Sequence, residues 1–283
     1  MIPAEFDYEA PGSLEEAIRM LHDNGDEAKL LAGGHSLLPL MKLRLAAPAL
    51  LVDLRRVPGL HSLERANGSW RIGAMVPHAE LERTPELGIV SVAAGTIADP
   101  QVRNRGTIGG SLAHGDPASD LPAVMLITEA SVTARGPGGE RAIAASELFQ
   151  DYLQTSLAAD EVLTAVEIPA LEGWGFGYQK FNRRSEDWAM VAASAAVKAT
   201  SDGQCEDVRV GLTNMGSVPL RAGAVEEALR GQPLSAESIA RAAENAAEGT
   251  DPPADLNASS EYKRHLARVL TRRALMAAAG LSS

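Results

Sequence analysis

The sequence predicts an α+β protein of two or three subdomains, and three observations carry that expectation. The chain has 283 residues, more than one hydrophobic core organises, because cores stop growing near about 250 residues. Its longer N-terminal part alternates short apolar runs with glycine-rich loops and brief helical patterns. After "LEGWGFGYQKF", Leu171 to Phe181, the composition shifts to strand patterns followed by alanine-rich helices, which places a boundary near residue 172.

Ser13 followed by Glu16 is a capping box, and Leu14, Ala17, Ile18 and Leu21 continue at helical spacing until Asn24-Gly25 stops the pattern. "AKLLAG" (28–33) reads as a short buried strand, "SLLPLMKLRL" (36–45) as a turn or two of helix broken by Pro39, and "ALLVDLR" (49–55) as another strand. "WRIGAMV" (70–76) predicts a strand, "HAELERT" (78–84) a short helix, and "IVSVAAGTIA" (89–98) an apolar element. The stretch 98–122, "ADPQVRNRGTIGGSLAHGDPASDLP", shows little periodicity and predicts a long loop, a length that in a compact domain usually signals function. "SVTARG" (131–136) and "VLTAVEIP" (162–169) predict strands, with an exposed turn at "GPGG" (136–139). "AMVAASAAVKA" (189–199) and "CEDVRVGLTNM" (205–215) predict strands around the turn "SDG", and helices are expected near 222–230, 236–248 and 261–279.

Composition removes several classes of function. A net charge of -11, from 37 acidic and 26 basic residues, disfavours nucleic-acid binding. The apolar runs are too short to span a bilayer and the N-terminus has acids where a signal peptide carries bases, so a cytoplasmic protein is expected. A single cysteine, Cys205, leaves no route to an intrachain disulfide or to an iron–sulfur cluster held by this chain alone.

Two glycine loops stand out. Neither fits the G-x-G-x-x-G dinucleotide fingerprint, and no Gly-Lys-Ser or Gly-Lys-Thr supports a nucleotide-hydrolysing loop. The simpler physics is that successive N–H groups of "AGGHS" (32–36) form an anion-binding concavity, with Gly33 and Gly34 allowing close approach; "GTIGGS" (106–111) offers the same. Taken alone, "AGGHS" reads first as a tight strand-to-helix turn without a ligand; with the second loop added the ligand reading leads, because two such nests suit the two phosphoryl groups of a diphosphate. His35 has no acid or second imidazole at ligand spacing, so loop shaping or phosphate contact is expected of it. His114 is either oriented by Asp116 or part of an Asp-Pro turn, and Asp120 is a candidate helix N-cap before "LPAVML". Cys205 fits a small buried residue at a strand start, and "KFNRR" (180–184) is either a solvated charge run or a source of charge for a diphosphate.

With "EDWAMVAASAAV" and "VGLTN", these loops resemble the flavoprotein (medium) subunits of the molybdenum hydroxylases, in particular the aerobic carbon monoxide dehydrogenase type, over the whole chain. The resemblance implies a vanillyl-alcohol-oxidase/PCMH-like FAD-binding domain over 1–172, in subdomains of about 1–56 and 57–172, then a C-terminal α+β domain over 173–283 with an antiparallel sheet and a helical bundle. It implies that Ala32, Gly33, Gly34, His35 and Ser36, with Thr107, Gly109 and Gly110, surround the FAD diphosphate, and that Leu37 also binds the cofactor. It also implies that Ile97 approaches the flavin, that Ser111 and Asp120 serve its ribityl or adenosine part, that Leu163, Lys180 and Trp188 lie on the isoalloxazine side, and that Val102 and His114 are further cofactor-binding residues. Two positions depart from the family: Ser111 stands where asparagine is common and Trp188 where tyrosine is, which shortens one hydrogen-bonding reach and replaces a hydroxyl by an indole N–H. The family further implies [2Fe–2S] clusters in a small subunit and a molybdenum cofactor in a large one, as a dimer of heterotrimers in the cytoplasm or peripheral to the inner face of the membrane. A self-sufficient FAD oxidase and a flavin-free assembly protein on the same fold are the alternatives.

Overall fold

A computed structural model describes residues 2–281. The chain first builds a small parallel sheet, β1 (Asp7–Glu9), β2 (Ala28–Leu31) and β3 (Leu50–Asp53), with β3 in the centre. α1 (Leu14–Asn24) crosses from β1 to β2 and buries Ala17, Ile18 and Leu21. Its start is capped as predicted at Ser13, whose Oγ accepts from Glu16 N at 3.2 Å, but the Glu16 carboxylate reaches past the cap to Gly12 N at 2.9 Å. α2 (Leu37–Lys42) is not broken at Pro39. Proline occupies the third helical position, where an amide has no intrahelical acceptor to lose.

A five-stranded antiparallel sheet follows, in the order β4 (Leu63–Ala66), β5 (Ser69–Gly73), β10 (Val162–Pro169), β6 (Ser131–Gly136), β7 (Gly139–Ala144). Between β7 and β10 lie α8 (Ala145–Leu148) and the small hairpin β8 (Phe149–Asp151), β9 (Gln154–Thr155). The helices α3 (His78–Glu82), α4 (Ile89–Gly95), α5 (Pro100–Arg103), α6 (Ile108–His114) and α7 (Asp120–Ile127) all come between β5 and β6. The predicted loop at 98–122 is therefore largely helical. Each helix in it is locally specified: Asp99 caps α5 through Gln101 N and Val102 N, Thr107 caps α6 through Gly110 N, and Gly115 ends α6 at φ +65. Helices of four and seven residues are too short to display a hydrophobic repeat, so periodicity missed them.

The C-terminal part is an antiparallel sheet, β11 (Trp174–Phe181), β12 (Val191–Ala199), β13 (Cys205–Thr213) and β14 (Leu220–Arg221), followed by α9 (Gly223–Leu229), α10 (Ala236–Ala243) and α11 (Ser260–Ala278). From Val191 to Val197 β12 is buried on both faces and, apart from Ser194, apolar. Ala192 and Ala196 join the core beneath α4 and α7, whereas Val191, Ala193, Ala195 and Val197 join the core beneath α9 to α11. β11 occupies the stretch that sequence marked only as a change of composition. A Cβ on Gly175 or Gly177 would strike the carbonyls of Ala278 and Ala274, so these glycines let α11 lie directly on the strand.

Candidate functional site

A cleft of about 610 Å³ lies between the loop after β2, the helices α3, α5 and α6, and the C-terminal end of β11 with the segment 186–188 beyond it. Its first wall is the loop from Ala32 to Ser36. Gly34 takes φ +80, a conformation that glycine adopts without strain, and turns the chain into α2. Among the described residues, the amides of Gly33, Gly34, His35, Ser36 and Leu37 donate to no protein acceptor, which leaves five consecutive N–H groups at a helix start. This is the arrangement that binds an anionic oxygen.

The facing wall is α6 with its cap. A Cβ on Gly33 would strike the Arg105 carbonyl and lie 2.8 Å from Gly106 Cα, so the two glycine loops pack backbone against backbone. Gly109 sits against Ala74, whose carbonyl a Cβ would approach to 2.7 Å, and a Cβ on Gly110 would lie 2.8 Å from Thr107 Oγ1 and 3.3 Å from Ala32 Cβ. The expectation that "GTIGGS" forms a second nest equal to the first is corrected here. Ile108 N donates to the Val76 carbonyl, Gly109 N to that of Ala74 and Gly110 N to Thr107 Oγ1, at 3.1, 2.9 and 3.2 Å. Among the described residues Thr107 N alone of this loop keeps a free amide, and the loop otherwise offers absence of side chains and two hydroxyls, Thr107 and Ser111.

Beyond the loops, Ile97 and Ala98 form a corner of the cleft, with Ala98 at φ +42, a strained value for a residue with a Cβ. Arg103 holds this corner: its Nη1 donates to the carbonyls of Ile97 at 2.8 Å and Ala98 at 3.3 Å, while Nε pairs with Glu82 at 2.8 Å. Lys180, on β11, reaches the same corner through the Thr96 carbonyl at 3.1 Å and forms a buried ion pair with Asp120 at 2.9 Å. Tyr178 donates to the other Asp120 oxygen at 2.6 Å. Asp120 is thus not the N-cap, a position held by Ser119, but the first residue of α7 with both oxygens engaged. Burial pushes its carboxyl above the usual carboxylate range, against the pull of Lys180 and Tyr178. Lys180 is correspondingly no part of a solvated charge run.

All the predicted contact residues lie on this one cleft: Ala32 to Leu37, Ile97, Val102, Thr107, Gly109, Gly110, Ser111, His114, Asp120, Leu163, Lys180 and Trp188. Leu163 stands beside a bulge in β10, and Trp188 is 56% exposed. Asp116 does not orient His114; its carboxylate accepts from Ala118 N at 2.8 Å and shapes the Asp-Pro turn. Cys205 is buried at the start of β13, where burial raises its thiol to about 11. Sequence reasoning missed His78, which is 4% exposed, lines the cleft and has its imidazole depressed to about 4, chiefly by burial. Its only sequence signal is its place after Pro77 at a helix start, and that indicates structure as readily as binding. Among the described residues no cluster of three or more histidine, cysteine or acidic side chains could hold a metal ion, and no helix is long and apolar enough to cross a membrane.

Comparison with known proteins adds to this geometry. Residues 4–171 match the model of the FAD binding domain in molybdopterin dehydrogenase, and residues 176–278 match that of the CO dehydrogenase flavoprotein C-terminal domain. The chain is 40% identical to the 6-hydroxypseudooxynicotine dehydrogenase complex subunit alpha of Paenarthrobacter nicotinovorans, covering 97% of this chain and 95% of the relative. It is likewise 40% identical to the carbon monoxide dehydrogenase medium chain of Hydrogenophaga pseudoflava, over 98% of each. The fold superposes on reconstituted CO dehydrogenase from Oligotropha carboxidovorans with a TM-score of 0.96 at 37% identity, over 100% of both chains.

Proposed function

The chain belongs to the family of FAD-binding medium subunits of the molybdenum hydroxylases, and from that premise we propose that it carries electrons, by way of FAD bound in the cleft, from a partner subunit to an external acceptor. The observation that supports this most directly is the run of five unpartnered amides from Gly33 to Leu37, facing a wall made of glycine backbone. The residues fit the cofactor. Gly33 to Leu37 would hold its diphosphate, Thr107, Gly109, Gly110 and Ser111 would admit it from the other side, and Ile97, Val102, His114 and Leu163 would pack along it. Lys180, fixed by Asp120, would place a positive charge beside the flavin end, and Trp188 would cover an exposed ring face. FAD supplies the redox chemistry, and this chain's residues bind it, orient it and set its electrostatic surroundings.

Substrate oxidation is assigned to partners, because the one cysteine of the chain is buried and cannot hold a cluster. The proposal therefore includes a small subunit with [2Fe–2S] clusters and a large molybdopterin subunit, assembled in the cytoplasm as a dimer of heterotrimers. It also includes the division at residue 172 into a cofactor unit and a C-terminal unit. Relatives at the same 40% identity serve carbon monoxide and 6-hydroxypseudooxynicotine dehydrogenases, so the proposal covers the flavin step common to both. The test is to purify the chain alone and with its operon partners and record flavin absorbance. Stoichiometric FAD in both, with substrate bleaching the flavin only in the complex, is expected. Absence of FAD would overturn the assignment, and bleaching by the isolated chain would favour a self-sufficient oxidase.

A further inference from the structure

His78 poses a problem that the packing of the chain does not solve. Its Nδ1 is sealed from solvent and has no hydrogen-bond partner among the described residues. An unpartnered polar atom at a nearly buried position costs stability that an apolar residue of similar size would not lose. The location is the junction of the two glycine loops: His78 N donates to the Gly106 carbonyl at 2.9 Å, and a Cβ on Gly106 would lie 2.9 Å from the ring's Cδ2 and 3.2 Å from Nε2. Gly106 is the residue against which Gly33 packs. The ring edge carrying Nε2 thus lies against Gly106, which packs on Gly33 at the start of the free amides, and His78 lines the same cleft as they do.

The orphaned Nδ1 also decides where the proton sits. A buried N–H without an acceptor is rarer and costlier than an under-satisfied acceptor, so Nδ1 is the bare nitrogen and Nε2 carries the hydrogen. Among the described residues Nε2 has no protein partner either, but unlike Nδ1 it is not sealed off. The charged and titratable groups acting on the ring are His35 from the first loop and Arg103 from α5, both of which oppose a second proton on it; Arg103 is itself paired with Glu82 of α3. The imidazole is therefore a neutral donor of fixed tautomer in the cleft wall.

We propose that His78 is a further binding residue of the cleft, donating Nε2–H to an anionic oxygen of the ligand that the Gly33–Leu37 amides hold. This rests on the assignment of the cleft to FAD. The ligand class it reads is a diphosphate, so FAD and ADP depend on it and riboflavin does not.

The experiment is equilibrium titration of the flavin-free full chain with FAD, ADP and riboflavin, in the wild type and in His78→Leu, His78→Asn and His78→Gln. Glutamine places its amide nitrogen where Nε2 lies, and asparagine places its own near Nδ1. Loss of a hydrogen bond to a charged group predicts FAD and ADP binding about ten- to hundredfold weaker in the Leu and Asn variants. Riboflavin affinity is unchanged, and the Gln variant stays within about threefold of wild type. Undiminished FAD binding in the Leu variant, equal losses for FAD and riboflavin, or no advantage of Gln over Asn would overturn the proposal. Nitrogen chemical shifts of wild-type His78 supply a check independent of variant folding: a protonated Nε2 is expected, and a protonated Nδ1 overturns it. Failure of wild-type chain to bind FAD at all would instead sink the assignment of the cleft, and this proposal with it.

Discussion

Lowering the pH from 7 to 5 is expected to destabilise the flavin-free chain by about 2 kcal/mol through His78 alone. The imidazole titrates near 6.5 when unfolded and at about 4 in the fold. Below 6.5 the unfolded chain takes up a proton that the folded chain refuses, so stability is present in full above that value and is lost as pH falls toward 4. A gap of about 2.5 at about 1.36 kcal/mol each gives a total near 3.4 kcal/mol, of which about 2 kcal/mol falls between pH 7 and 5. Urea denaturation of wild type and His78→Leu at pH 7, 6 and 5 measures it as a difference of differences, with the variant's profile flatter by that amount. The carboxylates whose pKa values the fold lowers, Asp53, Glu161, Glu186, Asp202 and Asp255, lose their stabilisation mainly at lower pH and are common to both proteins. Parallel profiles, within about 0.5 kcal/mol, would refute the buried neutral imidazole.

Gly110→Asp places a Cβ 2.8 Å from Thr107 Oγ1 and a carboxylate between the loops; the chain is expected to fold, by circular dichroism, and to purify without flavin absorbance. Gly33→Ala forces the two loops apart at the Arg105 carbonyl and is expected to cost about 1–3 kcal/mol in thermal unfolding together with FAD affinity. Lys180→Met leaves Asp120 buried without its cation, and a loss of about 3–5 kcal/mol is expected by denaturant titration. Cys205, with its thiol raised to about 11 by burial, is expected to react with a thiol reagent at pH 8 only on unfolding; rapid native labelling would contradict its packing.

Much of the fold was legible because its signals are local. The capped α1, the β2 and β3 runs and the continuous small-residue strand β12 each follow from neighbouring residues. The helices within 98–122 are not legible in the sequence, because α5 and α6 are specified by single caps at Asp99 and Thr107 rather than by a repeating apolar face. The glycine loops were visible as motifs, yet their difference was not. Whether an amide is free depends on acceptors such as the carbonyls of Ala74 and Val76, which belong to another part of the chain.

By itself, the sequence determined the α+β class, the two glycine loops, the absence of enough cysteines to hold an iron–sulfur cluster, and a set of residues that all fall on one cleft. The tertiary structure alone decided that Gly33 to Leu37 keep their amides free while Ile108 to Gly110 spend theirs, that Lys180 is paired with Asp120 across 60 positions, and that His78 is sealed at one nitrogen and open at the other. The reason is physical. Motif and composition reflect bonds along the chain, whereas hydrogen-bond satisfaction, burial and titration depend on which distant groups the fold brings within about 3 Å.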